Sequence, residues 1–245
     1  MNVCTNKNNK KSFYFRRNAT WQKNITIEPL KETTLRVELI GDTDLILHKR
    51  SRYYEQAECF KQSKDKGFKM PAIYNQPKNV WEGLITGIHW EKPINFHDED
   101  ISLYTEEEWK DYMENNRPCI LTQAFKKSFT ETFITFFKDS TGKKGTDIKR
   151  SLSIEGSICP VNFESVEVVN KIVPTSGISA SPVLCSSNVF HNWRTTIEVS
   201  CPDIVFPYET VLQLIETSGK YIGIGTQRAN GNGRYHINPD NVTII

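Results

Sequence analysis

Residues 219–237 read Gly219-Lys220-Tyr221-Ile222-Gly223-Ile224-Gly225-Thr226-Gln227-Arg228-Ala229-Asn230-Gly231-Asn232-Gly233-Arg234-Tyr235-His236-Ile237, and hold five of the chain's 13 glycines. The pattern is apolar-Gly twice over, then five residues, then Gly-x-Gly-Arg-Tyr. Gly223 and Gly225 carry no Cβ, so a backbone or a ligand can approach closely. Gly231 and Gly233, with Asn230 and Asn232, read as a tight turn that needs positive φ. Arg228, Arg234 and His236 add cationic or potentially cationic groups to the same loop. Exposed backbone N–H groups beside arginines suit phosphate oxygens. The Gly-Lys-Ser/Thr ending of a triphosphate-binding loop is absent. The glycines also precede a strand-like run, Arg234–Ile237, where a dinucleotide fingerprint requires a helix. A glycine-rich surface hairpin is the competing reading.

Upstream of the loop, Pro207–Glu216 reads as a helix with proline in its first turn and Val211, Leu212 and Ile215 on one face. The alternating run Thr195–Ser200 before it reads as a strand. Near the other end, Leu35-Arg36-Val37-Glu38-Leu39-Ile40 alternates as a strand, and Gly41-Asp42-Thr43-Asp44 breaks it. Leu45-Ile46-Leu47-His48 follows, with Lys49, Arg50 and Arg52 forming a basic patch. Val80–His89 has helical periodicity behind an Asn79 cap, and His89 reads as part of its packed end. Thr105 and Glu108 fit a capping box. Phe125, Phe129, Phe133, Phe136 and Phe137 form the strongest helical stripe in the chain, read as core, with Lys126 and Lys127 on its polar face. Residues 138–151, which include Lys143 and Lys144, read as either a surface loop or a loop contacting nucleic acid. Short strand-like runs fill 152–173, and 174–182 reads as a Ser/Pro/Gly loop.

The chain has 245 residues, 38% hydrophobic and 24% charged, with a net charge of +2. That composition fits a globular chain of one elaborated domain or two small ones. The charge is unevenly spread. Residues 1–27 carry six basic residues and no acid, while residues 98–114 carry eight acids and one lysine. The aromatic and basic leader reads as a flexible or edge segment, or as an arm that stacks on bases. Carboxylates of the acidic segment fall mostly on the solvated face of a helix, and no metal or other cofactor is expected. The six cysteines are scattered without a Cys-x-x-Cys pair, which points to a reducing compartment. No run approaches a membrane span and no secretory signal opens the chain. The expected location is the cytoplasm, that of the host if the chain is phage-encoded.

The strand-helix-loop-strand order at the carboxy end and the strand-insertion-helix order near the amino end fit an α+β fold. Its core would be ferredoxin-like or RRM-like, with large insertions. The sequence resembles the RAMP superfamily of CRISPR-associated proteins, whose glycine-rich loop between last helix and last strand is matched by Ile222, Gly223, Gly225, Gly231 and Gly233. It resembles most closely a group of uncharacterised phage-encoded RAMP-like proteins. The motifs that carry this are Leu45-Ile46-Leu47-His48, Ile88-His89-Trp90 and the Gly-Ile-Gly…Gly-Arg-Tyr ending. The resemblance spans residues 33–237 loosely and leaves out the first 27.

What the resemblance implies is a single-stranded nucleic-acid binding protein, for RNA or DNA, with backbone contacts from Gly223, Gly225, Arg228, Gly231, Gly233 and Arg234. Arg50, Arg52, Lys143 and Lys144 join that set as basic patches. The expected organisation is a basic leader over 1–27 and a single domain over 28–245, with insertions at about 50–78 and 92–185. Two alternatives stand beside it. One is a metal-independent endoribonuclease using His48, since some family members cut RNA with a histidine near the first strand. The other is a phage accessory or anti-defence protein that binds a host protein or a nucleotide. Self-association into filaments is a further implication of the resemblance.

Overall fold

Alternation in residues 32–41 fixes the central strand of the fold. A computed structural model describes residues 30–48, 79–92, 94, 104–174 and 182–245, and its compact unit runs from Lys31 to Ile245. Strand β1 (Glu32–Gly41) buries Leu35, Val37 and Leu39 and turns Arg36 to solvent, as the two-residue period of a strand requires. Arg36 faces Glu198 across the ladder, its Nε donating at 2.7 Å. An exposed pair of this kind contributes little, so the register rests on the three buried side chains.

β1 lies between two antiparallel neighbours, β9 (Arg194–Pro202) and β10 (Tyr235–Ile244). Four shorter strands complete the sheet: β3 (His89–Trp90), β4 (Pro118–Leu121), β5 (Ser153–Ile154) and β6 (Ile158–Asn162). Its order is β10-β1-β9-β6-β4-β3, with β5 paired to β9. A second sheet has the order β2-β8-β7, from Leu45–Leu47, Pro182–His191 and Ser165–Pro174 respectively. The chain crosses from β8 to β9 through Asn192 and Trp193. Asn192 sits at φ 47°, which asparagine tolerates better than most residues. Trp193 is fully buried, and its indole N–H donates to the Thr43 carbonyl at 2.8 Å.

The helices are α1 (Val80–Thr86), α2 (Glu106–Asn115), α3 (Thr122–Thr132), α4 (Lys138–Thr141), α5 (Gly145–Ser151) and α6 (Tyr208–Tyr221), with a π-helical segment at Phe133–Phe137. The Asn79 cap accepts from the Glu82 N–H at 2.8 Å, and both bonds of the Thr105–Glu108 capping box are made. α1 packs on the second sheet. There the buried Asn188 donates to the Leu84 carbonyl at 3.0 Å and accepts from the Trp109 indole at 2.8 Å, so its amide is satisfied on both sides. α3 and α6 pack side by side against the first sheet. Ser128 and Ser218 meet between them at 2.8 Å, and Phe125 lies edge-on to Tyr235.

Several expectations change. The helix beside α6 is the phenylalanine-rich α3, not Val80–His89. The span read as an insertion, 92–185, therefore supplies a core helix and the strands β4 and β6. His89 belongs to β3, because Gly87 ends α1 two residues earlier. Residues 138–151 form two short helices joined at Gly142, which takes φ 67°. Phe125, Phe129 and Phe133 are buried as expected, but Phe136 is 46% exposed. The wider turn of the π segment keeps Phe137 stacked on Phe133 and rolls Phe136 outward. The leader 1–27, Arg50 and Arg52, and the segment 53–69 lie outside the described residues. Among those described, no helix is long and apolar enough to cross a membrane.

The glycine loop is bound backbone to backbone onto the β1–β2 connection. Gly233 N–H donates to the Asp44 carbonyl at 2.8 Å, Thr226 N–H to Ile46 at 2.8 Å, and Asp42 N–H to Arg234 at 2.8 Å. Within the loop, Ile224 N–H donates to Gly233 at 2.9 Å. Ser128 reaches in from α3 and donates to the Gly223 carbonyl at 2.9 Å. Gly233 has φ 70°, and a Cβ there would stand 1.8 Å from the Ile224 carbonyl oxygen. Gly231 has φ 86° but open space around it. The Gly233→Ala variant should therefore lose roughly 3 kcal/mol or more. Gly231→Ala should lose only the roughly 1–2 kcal/mol of its left-handed backbone. Denaturant melts of the two variants check this; equal losses would contradict the packing.

Candidate nucleic-acid interface

Four segments meet where α3 begins. β2 delivers His48, β3 delivers His89, the first turns of α3 deliver Lys127, and the glycine loop delivers Gly225, Thr226 and Arg228. Together they line a groove of ≈ 250 Å³ with an apolar floor that includes Leu47, Ile120 and Ile224. Arg228 spans from the loop to α3, its Nη1 3.3 Å from Glu131 Oε2. The amides of Gly225 and Gln227 make no hydrogen bond to described residues, whereas those of Ile224, Thr226 and Gly233 are all engaged. Arg234 lies behind Arg228. Its Nη2 donates to the Arg228 carbonyl at 3.4 Å, while its Nη1 is buried with no partner among the described residues. A buried guanidinium nitrogen without an acceptor is costly.

Of the candidates read from sequence, the groove brings together His48, Gly225 and Arg228, with Arg234 close behind. Gly223 and Gly233 are buried beneath the loop, and Gly231 caps its short 3-10 turn. Lys143 and Lys144 do not line the groove. The Lys143 ammonium sits 5.0 Å from the centroid of the Phe206 ring, and the Lys144 N–H donates to Asp147 at the head of α5 at 2.8 Å. Arg50 and Arg52 lie outside the described residues. Lys127 and His89 enter the groove without having been read as site residues.

Sequence reasoning also missed two histidine–aspartate pairs beside the loop. His236 Nδ1 lies 2.6 Å from Asp42, and His191 Nδ1 lies 2.7 Å from Asp44, with Glu167 3.7 Å from its Nε2. The doublet Asp42-Thr43-Asp44 was the available signal, read only as a strand break. His48 has no hydrogen-bonded carboxylate among the described residues. Cys119 lines the same groove, but burial pushes its thiol up to about 12 and that of Cys159 up to about 11. Both are neutral near pH 7 and unsuited to nucleophilic attack. No group of three or more His, Cys, Asp or Glu among the described residues is placed to hold a metal ion.

No family model matches the chain, and no curated protein matches it. Solved structures similar to it include one described as the Type III-B Cmr-beta bound to cognate target RNA. The TM-score is 0.45 at 11% identity, over 88% of this chain and 61% of that one, so this chain spans about three-fifths of that protein's length. A CRISPR RNA-guided surveillance complex matches with TM-score 0.36 and 11% identity, over 87% of this chain and 68% of that one. Cmr6 from Pyrococcus furiosus matches with TM-score 0.31 and 11% identity, over 86% of this chain and all of that one.

His48 gives the groove a pH signature. Its ring is exposed at the rim, yet the surrounding protein removes enough water to lower its pKa below the ordinary value. It is therefore neutral at pH 7 and becomes cationic only below that depressed pKa. An NMR titration of the His48 ring protons should give a midpoint below about 6.5. A midpoint above that value would contradict the placement of His48 against the groove wall.

Proposed function

We propose that this chain is a RAMP-like protein that binds single-stranded nucleic acid along the groove beside its glycine loop. The observation that carries the proposal is the convergence of Gly225, Arg228, Lys127 and His48 on one groove. Open backbone amides, fixed guanidinium groups and a mobile lysine recognise phosphate oxygens without reading base identity. The strand order supports a ferredoxin-like core. Taken in chain order, the strands in sheet positions β10-β1-β9-β6 are fourth, first, third and second. α3 lies between the first and second of them, and α6 between the third and fourth. The phage-encoded origin and head-to-tail filaments rest on the sequence resemblance. So do the backbone contacts assigned to Gly223, Gly231 and Gly233, whereas the roles of Arg50, Arg52, Lys143 and Lys144 rest on the basic patches of the sequence.

A second reading, metal-independent RNA cleavage by His48, is favoured by one observation: His48 lines the same groove as Arg228. A neutral imidazole there is able to accept a proton.

One experiment separates the two. Labelled single-stranded RNA and DNA are titrated with the protein in chelator across a salt series, then run on a denaturing gel. The expected result is salt-dependent binding with intact strands. Arg228→Ala and Lys127→Ala should each weaken binding on every sequence and flatten the salt slope by about 0.7 for each phosphate no longer neutralised. RNA cut by the wild type and spared by His48→Ala would move the assignment to the second reading. A salt slope unchanged in both charge variants would overturn the binding groove.

A further inference from the structure

Among the described residues, Phe136 and Tyr221 are two of the few large apolar side chains left in solvent, 46% and 50% exposed, and they touch each other. Their ring centroids are 5.2 Å apart and the rings are tilted by 37°. Neither exposure follows from the local pattern. On a regular α-helix Phe136 would return to the stripe that buries Phe125, Phe129 and Phe133. The π segment 133–137 turns it out instead, and such i→i+5 turns are rare and concentrate at functional sites. Tyr221 is the last residue of α6, immediately before the glycine loop. The Lys220 ammonium lies 5.3 Å from its ring centroid.

The pair joins the same two segments that Arg228 and Glu131 join: the α3–π helix on one side and the α6–glycine-loop segment on the other. The segment that carries Phe136 is basic on balance. Residues 122–151 hold seven basic residues against three acids. Of those acids, Glu131 is paired with Arg228 and Asp147 accepts from the Lys144 N–H. An anionic occupant with flat apolar faces therefore fits this surface better than an aliphatic or acidic protein patch.

We propose that Phe136 and Tyr221 form a stacking platform for an unpaired base of the strand whose phosphates pass the glycine loop. Every base has a π-face, so the platform adds affinity without choosing a sequence. The inference rests on the proposed groove and adds to it a site that takes bases rather than phosphates.

The test measures affinity of the full chain for three labelled 12-unit strands: oligouridine, oligothymidine and an abasic sugar-phosphate strand. The double variant Phe136→Ala with Tyr221→Ala should bind the two base-bearing strands roughly 10- to 100-fold more weakly. Its salt slope should equal that of the wild type, and its affinity for the abasic strand should be unchanged. Tyr221→Phe, which keeps the ring, should bind as the wild type does. Wild-type affinity in the double variant overturns the platform. So does an equal loss on the abasic strand, which would make the pair structural. Wild-type protein that binds none of the three strands would overturn the groove and the platform together. Intact wild-type binding with an unaffected double variant would overturn the platform alone.

Discussion

The backbone of Gly233 passes so close to the Ile224 carbonyl that a Cβ would stand 1.8 Å from its oxygen. That close approach lets the Ile224 N–H reach the Gly233 carbonyl at 2.9 Å and fold the glycine loop on itself, and the loop in turn is hydrogen-bonded to Asp44 in the β1–β2 connection and to Ile46 in β2. Much else follows from it. The loop fixes where Arg228 stands relative to Glu131, and so how wide the groove over α3 is. It also sets the depth of Tyr235, which is fully buried against Phe125 and Trp193. Glycine at 223, 225 and 233 is first a packing requirement, and of these only Gly225 lines the groove.

Buried polar contacts distribute that constraint through the core. Ser128 meets Ser218 and donates to the Gly223 carbonyl, linking α3, α6 and the loop at one point. Asn188 does the same for the second sheet, joining β8 to α1 and α2. Such satisfied networks specify relative positions more than they add stability. Their result is a groove wall made from four chain segments, with Lys127 and Arg228 and the uncharged Cys119 thiol among its lining residues. The Arg228–Glu131 pair and the exposed Phe136–Tyr221 pair both bridge the α3–π helix and the α6–loop segment.

How much of this the sequence revealed depends on the range of the interactions. The alternation of Leu35, Val37 and Leu39 and the caps at Asn79 and Thr105 are local patterns, and each produced the element it implied. The identity of the core helix beside α6 was not legible. Val80–Thr86 and Thr122–Thr132 are both amphipathic, and only tertiary packing decides which one lies on the first sheet. The exposure of Phe136 was hidden for a different reason: a π turn changes the period of the helix, and composition carries no mark of it. His48, Gly225 and Arg228 stand out in sequence because they sit in motifs, and the structure places them along one groove. Lys127 looked like an ordinary solvent-facing residue. Asp42 and Asp44 find their histidines 194 and 147 residues away, a separation that no spacing rule reaches.

On the proposed reading, a rigid, internally bonded loop presents a few open groups to a nucleic-acid strand. Backbone amide NMR of the labelled protein, free and with single-stranded oligonucleotide, tests it most directly. The account predicts slow solvent exchange at the Ile224, Thr226 and Gly233 amides in the free protein. It also predicts shifts on strand addition concentrated at Gly225, Gln227, Arg228 and Lys127. Fast exchange at the first three, or a strand that leaves the second group unmoved, would contradict it.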